Sequence, residues 1–194
     1  AGRLFAEIAA RYPKIGKYVH VFHPDLQGPM DVAEVVCGTD IFYALYDRPE
    51  DIHRFLQLIC DTYKKCIDRW LLMFPPAEVS YHWGLMHKGT IMLRDDSAMN
   101  LSAEMFCEWI LPYDSQLLEH CGGGAIHFCG KGDHYIEPCS SMEQLYAVNL
   151  SQPQYNDMDL IYKHTICKNI KLLALEKTAA LSCALKEKSR ICVL

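Results

Sequence analysis

The chain has 194 residues, of which 51% are hydrophobic and 22% charged, with a net charge of -5. This suffices for one substantial core and one domain over residues 1–194. It lacks the basic face that nucleic acid requires and any apolar run near the roughly 18 residues of a membrane span, so a soluble protein is expected. Ten cysteines are scattered along apparent helices and strands, and the opening AGRLFAEIAARYP lacks the basic-then-apolar order of a secretion signal. Reduced thiols in a cytoplasm are the expectation, most of them packing residues such as Cys60, Cys66 and Cys107.

In chain order, YVHVFH (Tyr18 to His23) reads as a first strand, with His23 at its end and Asp25 two residues on as candidate substrate contacts. Next comes DRPEDIHRFLQLICDTYKKCIDRWLLMF. Asp47 and Glu50 have capping-box spacing, Pro49 sits in the first turn, and Ile52, Phe55, Leu56 and Ile59 form one stripe, which predicts a long helix. Thr90 to Arg94 (TIMLR) reads as a strand followed by Asp95, Asp96 and Ser97. The two aspartates could serve as an acid/base pair, as metal carboxylates, or as a turn cap and a partner for Arg94. Neighbours in an extended chain point apart, so at most one faces a cleft.

LSAEMFCEWILPYDSQLLEHC predicts a helix capped by Ser102 and bent or split by Pro112, and Gly122 to Gly124 stop it. Ala125 to Cys129 (AIHFC) predicts a strand. Residues at i and i+2 share a face, so His127 and Cys129 project together, as thiol and imidazole ligands of one metal such as zinc or as a packed cysteine beside a hydrogen-bonded histidine. His134 follows closely as a possible fourth ligand or proton donor, with Asp133 as a helix cap. Leu145 to Leu150 predicts a strand tipped by Asn149 and Ser151, two candidate substrate contacts. Short helices are expected over 133–141, 156–167 and 177–188, and strands over Ile170 to Leu175 and Arg190 to Leu194.

Strands apolar on both faces and alternating with helices predict a parallel sheet covered by helices. The polar residues gather after strand C-termini, as in barrels. With no GxGxxG in the first βα turn and no P-loop lysine, a barrel is favoured over a doubly wound sheet.

From about His23 onward, HPDLQGPMDV, LYDRPEDIHRFL, IMLRDDSAMNLSAEMFCEWILPY and AIHFCGKGDH resemble the uroporphyrinogen decarboxylase superfamily. The resemblance implies a (β/α)8 TIM-type barrel with its cleft at the strand C-termini. It also implies one of two chemistries. In the decarboxylases, which use no cofactor on a tetrapyrrole, Tyr46 matches the family tyrosine and Asp96, with Ser97 beside it, falls where a substrate-binding serine would be. The arginine segment, the early aspartate and the late Gly-His motif have no counterpart. In the methylcobamide:coenzyme M methyltransferases, which hold zinc through His-x-Cys and a later cysteine, His127 and Cys129 match the pair and Cys192 is the third-ligand candidate.

The favoured expectation is zinc-dependent methyl transfer from a corrinoid donor to a thiol. Tetrapyrrole decarboxylation or a degenerate non-catalytic fragment are the alternatives. A barrel needs about 250 residues, so the opening strands are expected to be missing, leaving open edges that favour a homo-oligomer.

Overall fold

The computed structural model describes residues 1–77, 79–175, 177–179 and 181. Helices α1 (Gly2–Arg11) and α2 (Pro13–Tyr18) open the chain, and α2 starts with proline where its missing N–H is harmless. Residues 19–28 are irregular, so YVHVFH is not a strand. Tyr18 ends α2, Val19 is exposed, and the His20 and His23 rings pack on Phe22 and His82 instead of entering a ladder. Helices α3 (Pro29–Cys37), α4 (Ile41–Asp47) and α5 (Pro49–Met73) follow. The expected capping box does not form: Asp47 closes α4, and Arg48 takes the N-cap of α5 without a side-chain bond. The expected stripe is buried through Ile52, Leu56, Cys60, Tyr63 and Ile67, with Phe55 and Ile59 partly covered beside it.

A hairpin of β1 (Ser80–His82) and β2 (Leu85–His87) was not foreshadowed by the apolar runs. The main sheet is β3 (Ile91–Arg94), β4 (Gly124–Phe128), β5 (Leu145–Leu150) and β6 (Lys171–Leu173), parallel and in that spatial order. Between these strands lie α6 (Ala103–Trp109), α7 (Leu111–His120), α8 (Ile136–Cys139) and α9 (Met158–His164). Ser102 caps α6 by accepting from Met105 N at 3.2 Å, and Pro112 lies in the first turn of α7, so the long predicted helix is split there. Gly122 and Gly123, at φ +74° and +91°, take the left-handed backbone that stops α7.

This architecture corrects the expectation of a (β/α)8 barrel. The described residues hold a four-stranded parallel sheet and a two-stranded antiparallel one. Eight staggered strands are needed to close such a cylinder. Four strands in sequential order leave an open layer, and in the segment expected to add one, Tyr18 closes α2 and residues 19–23 are coil. The expected last strand, Arg190 to Leu194, and most of helix 177–188 lie outside the described residues. Among the described residues, no helix is long and apolar enough to cross a membrane.

The sheet has two different faces. Ile91, Leu93, Ile126, Phe128, Val148 and Leu172 join the large core shared with the helices. Met92, Ala125, Ala147 and Leu173 form a smaller cluster closed by Leu85 of the hairpin. This two-row alternation decides where each polar side chain at the strand ends goes.

Candidate functional site

Register partners Arg94, His127, Asn149 and Leu173 make one row across all four strands, near their C-terminal ends. Arg94, His127 and Asn149 lie two residues beyond Met92, Ala125 and Ala147, on the face covered by the hairpin. Asn149 Nδ2 donates to the Leu173 carbonyl at 2.8 Å, which turns its Oδ1 toward His127 Nδ1, 2.6 Å away. An amide oxygen only accepts, so His127 carries a proton on Nδ1, the tautomer that in a neutral imidazole leaves the lone pair on Nε2.

That lone pair faces two further donors. Cys129 Sγ is 3.5 Å from His127 Nε2 and Asp96 Oδ1 is 3.8 Å from it. One ligand atom from each of Asp96, His127 and Cys129 falls within 4.8 Å of the others. Zn–N near 2.05 Å and Zn–S near 2.3 Å at a tetrahedral angle require an N···S separation of about 3.6 Å, so the spacing of imidazole and thiol suits that ion. A carboxylate, a neutral imidazole and a thiol are also the donor types it takes. Burial raises the Cys129 thiol pKa, and Asp96 adds to this. Ser151 Oγ stands 3.5 Å from the sulfur.

Asp96 is held on every side. Its Oδ1 accepts from Cys129 N at 2.9 Å and its Oδ2 lies 3.5 Å from the Arg94 guanidinium. Asp31 of α3 accepts from Asp96 N at 3.0 Å and Ser97 N at 2.8 Å, and Ser97 Oγ donates to Glu34 at 2.6 Å. Arg94 also pairs with Asp25 at 3.0 Å and lies 4.7 Å from the Trp83 ring. Trp83 in turn meets the His127 ring edge-on at 5.3 Å.

The structure thus brings together Asp96, His127 and Cys129, with Asn149, Ser151 and Asp25 around them. The other expected residues go elsewhere. Asp95 has the opposite parity to Arg94 and turns into the helical core, fully buried against Asp114 of α7. Burial pushes both carboxyls up, Asp114 to about 7, and their mutual proximity adds to the rise at Asp95. Ser97 is spent on α3. Tyr46 is 74% exposed on α4, its hydroxyl against Met105 Sδ at 3.3 Å.

His134 is not among the three clustered donors: its Nε2 donates to the Leu101 carbonyl at 2.9 Å. Asp133 caps no helix of its own but accepts from Asp157 N at 2.8 Å. His23 belongs to a separate histidine cluster with His82 and His87, and Cys192 lies outside the described residues. Sequence reasoning missed Trp83, His82, His87 and Asp114. The two-residue Trp83-Gly84 spacing between the short runs of SYHWGLMH was the available hairpin signal for the first three.

No protein-family model matches the sequence, and a search of curated proteins finds no match.

Proposed function

We propose that Asp96, His127 and Cys129 hold a zinc ion that activates a thiol substrate as acceptor of a methyl group from a corrinoid-type donor. The reading rests on one observation above all, the 3.5 Å approach of His127 Nε2 and Cys129 Sγ with Nδ1 already committed to Asn149. When bound, zinc would lower the pKa of a thiol and present it as a thiolate. The remaining work falls to the chain. Asn149 keeps the His127 lone pair aimed inward, Asp31 and Arg94 fix Asp96, and the Trp83 ring packs edge-on against the imidazole. In the transfer, the thiol loses its proton to solvent, its sulfur forms the new S–CH3 bond, and the methyl–donor bond breaks with its electron pair leaving on the donor.

Tetrapyrrole decarboxylation calls for several cationic side chains to meet substrate carboxylates. Among the described residues Arg94 is the cation in this site, and Asp25 and Asp96 already neutralise it. Tyr46 lends no support from the surface of α4.

Elemental analysis of zinc-reconstituted protein tests the metal. One equivalent is expected in the wild type, with loss in His127→Ala and Cys129→Ser; equal zinc in all three would refute it. Demethylation of methylcobalamin with 2-mercaptoethanol as acceptor tests the reaction. A zinc-loaded protein inactive toward a panel of thiols and methyl corrinoids would favour a non-catalytic metal-binding role.

A further inference from the structure

The face that the hairpin turns to the sheet carries Ser80, His82, Leu85 and His87, all buried. Of these only Leu85 joins the apolar cluster, so the hairpin is held largely by polar contacts. The Lys88 carbonyl accepts from His87 Nδ1 at 3.1 Å, which leaves His87 Nε2 to accept from His82 Nδ1 at 2.8 Å. Protonation of both rings would set two N–H groups head to head and abolish that bond. His23 lies against His82 with ring centroids 4.2 Å apart, and its Nδ1 donates to the Pro24 carbonyl at 2.7 Å. Nε2 of His23 and Nε2 of His82 are both buried without a hydrogen-bond partner.

The surroundings offer little to hold a charge there. Asp25, on the same segment as His23, favours its protonation, as does the Thr90 carbonyl. His20 is exposed and packs on Phe22. Lys88 places its ammonium 4.1 Å from the Tyr146 ring. From α5 and its C-cap, Trp70, Leu71 and Phe74 line the small cavity beside His23 and Ser80, and β6 contributes Leu173 against Leu85. At the far end, the two-residue turn has Trp83 at φ +49° and Gly84 at φ +85°. A bulky residue in the left-handed region is strained. Its ring contacts with Arg94 and His127 hold it there.

We propose that the β1–β2 hairpin is a histidine-latched cover over the Asp96–His127–Cys129 site, closed while His23, His82 and His87 are neutral and released when they gain protons, so that acidity regulates access. The regulatory meaning rests on the metal-site reading above, whereas the latch itself does not. Burial lowers the pKa of all three histidines, that of His82 to about 3. A base whose pKa is lowered in the closed state favours closure above its free value near 6.5 and loses that contribution as pH falls below it. Each histidine that takes a proton on opening raises the open-to-closed ratio up to tenfold per pH unit, and three raise it up to about a thousandfold.

The test uses the full chain labelled with 5-fluorotryptophan and followed by fluorine NMR from pH 8 to pH 5. The Trp83 resonance is assigned with Trp83→Phe, and buried Trp109 reports on the helical core. The expected result is that Trp83 moves toward a solvent-exposed position below about pH 6.5 while Trp109 stays put. In the His82→Gln/His87→Gln protein that movement should lose its steepness or vanish. A stationary Trp83, movement of Trp109 in parallel, or an unchanged profile in the double variant would each overturn the latch. Zinc content of His127→Ala and Cys129→Ser is scored separately: a chain that moves Trp83 but binds no zinc sinks the metal reading and leaves the hairpin latch standing.

Discussion

The His127 imidazole and the Asn149 amide meet at 2.6 Å across neighbouring strands, at positions that are register partners in the sheet. The bond selects the imidazole tautomer, and a partner of this kind is typically worth 10- to 100-fold in metal affinity. Asn149→Ala should therefore weaken zinc binding by about that factor, whereas Asn149→Asp, which still accepts from Nδ1, should stay near the wild type. Competition with a chromophoric chelator measures both.

Asp95 and Asp114 give a pH prediction of definite sign. Both carboxyls have raised pKa values through burial, Asp114 to about 7. An acid whose pKa is higher in the folded state contributes stability below its unfolded value, near 3.8, and loses it as pH rises toward 7. Asp114→Asn keeps the shape and removes one charge, so it should raise the melting temperature at pH 8 by several degrees and change it little at pH 4. Thermal unfolding at the two pH values decides this, and equal shifts at both would contradict the buried acid pair.

Phe106 of α6 stacks on Tyr135 with ring centroids 4.7 Å apart and planes 4° from parallel, and both residues are fully buried. Truncation would leave a cavity that the surrounding helices and β4 cannot close. Phe106→Ala should destabilise the fold by about 3–5 kcal/mol, read from urea unfolding midpoints at unchanged slope.

Thiol reactivity should divide the cysteines by location. Burial pushes Cys60 and Cys121 up to about 12 and raises Cys139 well above its ordinary value, while Cys37, Cys66, Cys107 and Cys167 are exposed. At pH 8, iodoacetamide with peptide mapping should modify the exposed four in the native protein and the buried three only after denaturation. Rapid native modification of Cys60 would contradict the packing of α5 on α7.

Strand parity was the most legible part of the site. His127 and Cys129 share a face because the backbone alternates, and the same rule separates Asp95 from Asp96. Leu145–Leu150 and the Ser102 cap were equally readable, since an apolar run and a local side-chain bond are properties of a few adjacent residues. The first histidine run misled because alternation in YVHVFH also suits a coil whose rings pack on a hairpin 60 residues away. The closed cylinder was an inference from the order of elements, and order does not dictate closure. The role of Asn149 in orienting the imidazole depends on which strand lies beside β4, which no local pattern encodes.

The three donors come from the turn after β3, from within β4 and from just past its end, and the first is pinned by a carboxylate on α3. No short peptide cut from this chain could reproduce that triangle. An ion seated there would act as a rivet joining the sheet's upper rim to the helical layer, and loading at a hundredfold excess over its dissociation constant would add about 2.7 kcal/mol to the assembled form. Metal supply and conformational integrity would then be two readings of one equilibrium.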